Sequence, residues 1–295
     1  MPLIFPRLIW SSLAVALLVG TVQTGVQRWQ AAPLILAAEV YEDQKDQKSG
    51  ASAPIVEPAT ASAATPLQTA APTHAPGTPA HEHPQAAVQQ AQMAEHGMAK
   101  EWEPKNSAER VGWTWVANGL HAFSMALLVF AVMGIWRFRR GTALAALPLA
   151  GLVAAAGWLS FHLWPTLGLP AEVPGMEVAP LHARQLWSVL AIASAAAACA
   201  LVGFGRAPWR WPAAVVLLVI PYFVGAPHLQ TDALAAYSPE AHAALALLLQ
   251  QFFWATTWVA LSFWLSLGLA CGLVFQRWLQ PLLIANFKSE GLVAT

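Results

Sequence analysis

The sequence predicts an all-α fold: a polytopic membrane helical bundle of about six transmembrane helices, within a range of five to seven, carrying one long disordered outer loop. Three observations predict it. Of 295 residues, 57% are hydrophobic and only 10% charged, where soluble domains carry about a quarter charged residues. Charge-free windows long enough for a helix to cross the hydrocarbon core, about 20 residues, recur along the chain. The basic residues between those windows gather on one side of them.

The windows come in order. The first runs from Leu8 to Gln27, between Arg7 and Arg28, and the second from Val111 to Trp136, between Arg110 and Arg137. The third follows Arg140 and is expected to end near Trp164, because Pro165 does not easily continue a helix. The fourth is Gln185 to Gly205. The fifth, Trp211 to Thr231, contains Pro212, Pro221 and Pro227 and reads as a kinked or re-entrant segment. The sixth, Ala241 to Gln276, is longer than a bilayer is thick at about 1.5 Å per residue, so its first turns are expected at the outer interface. A signal peptide is the competing reading of the first window, but the run is longer than a usual apolar region and continues into PLILAAEVYE without a clear cleavage site.

Orientation follows from the short loops. With the amino terminus inside, Arg7, Arg137, Arg139, Arg140, Arg206, Arg210, Arg277 and Lys288 are cytoplasmic, and Arg184 is the one basic residue in the short outer segments. The rule for short loops then places both termini in the cytoplasm. The chain divides into residues 1–42, the first membrane helix and its outer end; 43–109, the outer loop; 110–280, the membrane bundle; and 281–295, a cytoplasmic tail. The loop is rich in Ala, Pro, Gln, Ser and Thr without periodicity, a composition that buries too little apolar surface to offset its ordering entropy.

The placement of metal-binding side chains is the main pointer to chemistry. All nine histidines fall in outer segments or outer helix halves. His74, His81, His83 and His96 lie in the loop, where an HxH pair can hold a divalent ion weakly. His162 ends the third helix, His182 begins the fourth, His228 ends the fifth and His242 begins the sixth. His121 lies about ten residues into the second. Glu39 and Glu42 follow the first helix, and Glu172, Glu177 and Asp232 lie in short outer loops. Imidazole and carboxylate suit divalent transition metals, so an outward-facing metal site is expected. Each histidine taken singly reads first as an interfacial hydrogen-bonding residue, and only their convergence points to a site. Arg184, near Glu172 and Glu177, reads as half of a structural ion pair. Asn118, His121 and Ser124 share one face of the second helix, and Gln23 and Gln27, like them, are expected to face other helices.

Other classes lack their motifs. There is no phosphate-binding GxxxxGK[ST] loop, no HExxH, no nucleophile motif and no paired intramembrane carboxylates, so enzyme chemistry is not expected and no resident cofactor is implied. Zero net charge gives no basis for a nucleic-acid partner. Cys199 and Cys271 sit alone in apolar runs and read as packing residues.

Four stretches resemble the CbtA family of predicted cobalt transporter subunits: PLILAAEVYE (33–42), the His-containing loop ending in WEPKNSAER (102–110), FHLWPTLGLPAEVPGM followed by ARQLW (161–187), and IPYFVGAPH (220–228). The resemblance implies a plasma (inner) membrane subunit of a cobalt uptake system associated with cobalamin synthesis. It implies a small His-containing membrane partner, CbtB, and points to Glu39, Glu42, His162, Glu172, Arg184 and His228. Cobalt, or nickel or another divalent ion, would be cargo. The family is described with five spans, and its loop with a denser His and acid tract than the four scattered histidines here. The expected metal residues are therefore His162, His228, Glu39, Glu42, Glu172 and His182, with His81 and His83 on the loop. A non-transporting accessory or sensor that binds metal on its outer face is the alternative.

Overall fold

The computed structural model describes residues 4–51, 107–141, 143–229 and 231–289. They form α1 (Ile4–Gln30), α2 (Ala32–Ala51), α3 (Ser107–Arg140), α4 (Ala146–Trp158), α5 (Trp164–Gly168), α6 (Leu181–Phe204), α7 (Arg210–Val224), α8 (Pro239–Val274) and α9 (Gln280–Ser289), with no strand among the described residues. The chain separates into two units, residues 1–51 with 111–295 and residues 52–110. The first is the bundle described below. Of the second, only the first turn of α3 is described. The loop with His74, His81, His83 and His96 lies outside the described residues.

Among the described residues, five helical stretches are long and apolar enough to cross a membrane: Ile4–Gln30, Ser107–Arg140, Ala146–Gly168, Leu181–Phe204 and Pro239–Asn286. These five match the first, second, third, fourth and sixth windows. The proline-rich fifth window is the exception. Its helix α7 has 15 residues, covering about 22 Å at 1.5 Å per residue, less than the hydrocarbon core of about 30 Å.

Pro165 does not end the third helix, and the expectation of a stop near Trp164 is corrected. A π-helical turn, Leu159–Leu163, joins α4 to α5, and the Trp164 N–H bonds back to Leu159 O, five residues away. A wider turn makes room for a proline ring that would otherwise meet the preceding turn, and the helix continues to Gly168. The same device recurs at Phe275–Leu279, where the Gln280 N–H bonds to Phe275 O one residue before Pro281. His162 thus lies within a π-helical turn.

Two apolar clusters hold the bundle. One joins α1, α3, α4 and α8 through Val15, Val19, Ala126, Phe130, Leu149 and Leu267. Lipid tails are as apolar as these side chains, so close fit rather than water exclusion is what such a cluster contributes. Gly20 of α1 shows how close the fit is: a Cβ there would stand 2.9 Å from Gly119 Cα of α3. The second cluster lies at the end expected to face outside, here the outer end, and joins Ala31 and Ala38 to Val173, Leu234, Leu245 and Phe252. Where such residues leave the hydrocarbon, burying each large side chain stabilises by about 1.5–3 kcal/mol.

At the opposite end Arg140 caps α6. Its guanidinium donates to the carbonyls of Phe204 at 3.2 Å and Gly205 at 2.9 Å, satisfying acceptors that a helix end leaves unpaired.

Candidate functional site

Two outer loops and α2 form a cap over the bundle. In the PGM turn, Gly175 adopts φ 79°, a conformation open to glycine. Its carbonyl accepts from Tyr237 Oη at 2.9 Å and Lys45 Nζ at 3.3 Å. The Glu177 N–H donates to Ala233 O at 3.1 Å, so the 170–180 and 225–238 segments are tied to one another. α8 then starts from Ser238, whose hydroxyl accepts from the Ala241 N–H at 3.4 Å, with Pro239 and Glu240 in the first turn. This is a regular helix start.

Two of the stretches singled out in the sequence, 161–187 and 220–228, meet beside this cap. Trp164 Nε1 donates to Leu218 O at 3.0 Å and Trp187 Nε1 to Pro221 O at 2.9 Å, while Tyr222 Oη returns a bond to Trp164 O at 2.6 Å. Both indoles stand edge-on to the Tyr222 ring. Trp164 thus links α5 to α7. A cavity of about 400 Å³ opens nearby, lined by Leu169, Pro170, Glu172, Arg184, Gln185 and Ser188.

The expected metal residues are distributed as follows. Glu172 forms an ion pair with Arg184, both side chains half-buried, which bears out the structural reading of Arg184. His162 is half-buried beside the Trp158 ring. His182 is exposed in the first turn of α6, and His228 is exposed in the segment after α7. Glu39 and Glu42 are half-buried on α2. Among the described residues, no three or more His, Cys, Asp or Glu side chains gather as one metal shell.

A His/carboxylate pair does form at His242 and Asp232, with Nε2 to Oδ2 at 2.8 Å and both side chains open to solvent. The Leu234 N–H donates to Asp232 Oδ1 at 3.0 Å. That bond, and then His242, hold the Asp232 carboxyl below its ordinary value and so keep it ionised. The sequence places both residues on the outer side, but the nine positions between them hide their contact.

Among the described residues, five helices long and apolar enough to cross a membrane, with a folded cap and histidines toward one end, define a multi-pass helical membrane protein. Residues 5–276 match the family model described as probable cobalt transporter subunit (CbtA). The chain belongs to the CbtA family. No curated relative and no solved structure matches it.

Proposed function

We propose that this chain is the membrane subunit of a cobalt, or wider divalent transition-metal, uptake system that captures the ion at its outward face. The family match over residues 5–276 carries this reading. The excess of Lys and Arg in the opposite short loops supports an inner-membrane orientation with both termini cytoplasmic, an arrangement that requires the shorter α7 to complete a sixth crossing. His162, His228, His182, Glu39, Glu42 and Glu172, with His81 and His83 of the loop, are the proposed ligands. The described ligands stand singly or in pairs. That suits a mouth from which an ion must also leave, since conduction needs sites weak enough to release. The subunit description implies further subunits, and a small His-containing membrane partner of the CbtB kind fits that role. The ion is cargo, and no enzymatic step is assigned.

Cellular uptake of labelled cobalt, nickel and zinc, with and without the protein, tests the reading. His162→Ala and His228→Ala are expected to reduce uptake per folded molecule at least tenfold. Wild-type uptake in both variants removes these two residues from the site. Flux into liposomes holding this chain alone separates a transporter from a metal-binding accessory.

A further inference from the structure

Among the described residues, the enclosed polar atoms left without a partner are segregated by chemistry. Gln23 Oε1, Gln30 Oε1, Ser11 Oγ and Ser12 Oγ all lie on α1. The unpartnered nitrogens, Trp136 Nε1, Arg137 Nε and Trp158 Nε1, lie on α3 and α4. An unpaired polar group in an apolar surrounding is costly, and polar groups at membrane depth are functional candidates by default. The α1 oxygens therefore need an explanation.

Gln23, Gln27 and Gln30 stand at i, i+4 and i+7, one face of a helix. Gln23 is 6% exposed. Gln27 Oε1 accepts from Asn118 Nδ2 at 2.8 Å, and the same nitrogen reaches Thr24 Oγ1 at 3.0 Å. The contact of Gly20 with Gly119 brings the two helices close enough for these bonds. Further along this face come Val19, Ala16 and Val15, all 3% exposed or less, and then Ser12 and Ser11. Those serines are unusual. Thr21, Thr24, Ser124 and Ser194 each donate to the carbonyl four residues earlier, the ordinary way for a helical hydroxyl to satisfy itself. Ser11 and Ser12 do not.

We infer that this face of α1 is a step of the ion path: a row of amide oxygens that holds a hydrated divalent cation through its water ligands, closed from Ser11 and Ser12 by Val15 and Val19. The inference rests on the transport reading above. Each amide oxygen accepts an O–H from a metal-bound water, so the ion keeps its shell and is held weakly enough to move on. Acceptors suit such an ion, while the nitrogens on α3 and α4 would face it with the wrong charge. The apolar block is about 16 Å of helix from Gln23 to Ser12, and it seals the path in the conformation seen.

The test is uptake of labelled cobalt per folded molecule in membranes containing the full chain. Gln23→Leu removes the enclosed oxygen at similar volume. The folded amount is expected to match or exceed wild type, with uptake down at least tenfold. Wild-type uptake per folded molecule in Gln23→Leu overturns the inference and leaves the transport reading standing. If Gln23→Leu does not accumulate, Gln23→Asn decides, because it keeps the amide and draws the oxygen back by one methylene. A fall of threefold or more supports the step, and unchanged uptake overturns it. Absence of divalent uptake by the wild-type protein overturns the transport reading itself, and this step with it.

Discussion

Trp187 and Pro221 are joined by an indole-to-carbonyl hydrogen bond of 2.9 Å, which fastens α6 to α7 at a proline inside that helix. Pro221 lacks the N–H that would bond to Leu217 O, so α7 is weakened where the neighbouring helix grips it. Removing the bond with Trp187→Phe is expected to cost about 1 kcal/mol of folded stability. Gly168→Ala is expected to cost about 1–3 kcal/mol, because a methyl there overlaps the Trp187 ring. Thermal unfolding of purified protein in detergent measures both, and a Gly168→Ala protein as stable as wild type would contradict the packing described.

The Arg184–Glu172 pair ties the 170–180 segment to the first turn of α6. Its side chains are half-buried, so breaking it lies between the small cost of an exposed pair and the larger one of a buried pair, about 1–2 kcal/mol. Arg184→Ala is expected to lower the amount of folded protein. The double variant Arg184→Leu with Glu172→Leu should recover part of the loss, since neither charge is then left alone. Yield and thermal midpoint of the two variants decide it.

Orientation has its own test. Cysteines placed at Ser62 and at Thr142 are expected to react with a membrane-impermeant maleimide from outside and only after permeabilisation, respectively. The reverse pattern would place both termini outside.

Asp232 gives a pH signature. Its carboxyl lies below the ordinary value, through the Leu234 N–H first and His242 second. A depressed carboxylate stabilises the folded state above its unfolded value of about 3.9, and the contribution fades as pH falls through the lower folded value. The stability difference between wild type and Asp232→Asn is therefore expected to be constant near neutrality and to shrink on acidification below about pH 4. A difference that persists unchanged to the lowest accessible pH would rule out the carboxylate as its source. Urea midpoints across that range would show it.

Much of this was legible in the sequence because lipid imposes a length and a composition on each element. The windows from Leu8, Val111, Gln185 and Ala241 each became a helix. The error at Pro165 has a local cause: the cost of a proline falls when the preceding turn opens to π geometry, and no single residue announces such a turn. For the candidate site, composition placed histidines and acids at one end of the bundle, but not which of them touch. His242 and Asp232 meet because the loop between them folds back on the start of α8. Glu172 pairs with Arg184.

The sequence by itself determined the membrane class, the approximate spans and the uneven distribution of charge and imidazole, since each depends on residue type and local spacing. Tertiary structure alone decided the contacts: Trp187 on Pro221, Lys45 and Tyr237 on the Gly175 carbonyl, and the enclosed oxygens of Gln23 and Gln30. A side chain's partner is set by how neighbouring helices rotate and approach, and that rests on close contacts such as Gly20 against Gly119, which join residues 99 positions apart in the chain.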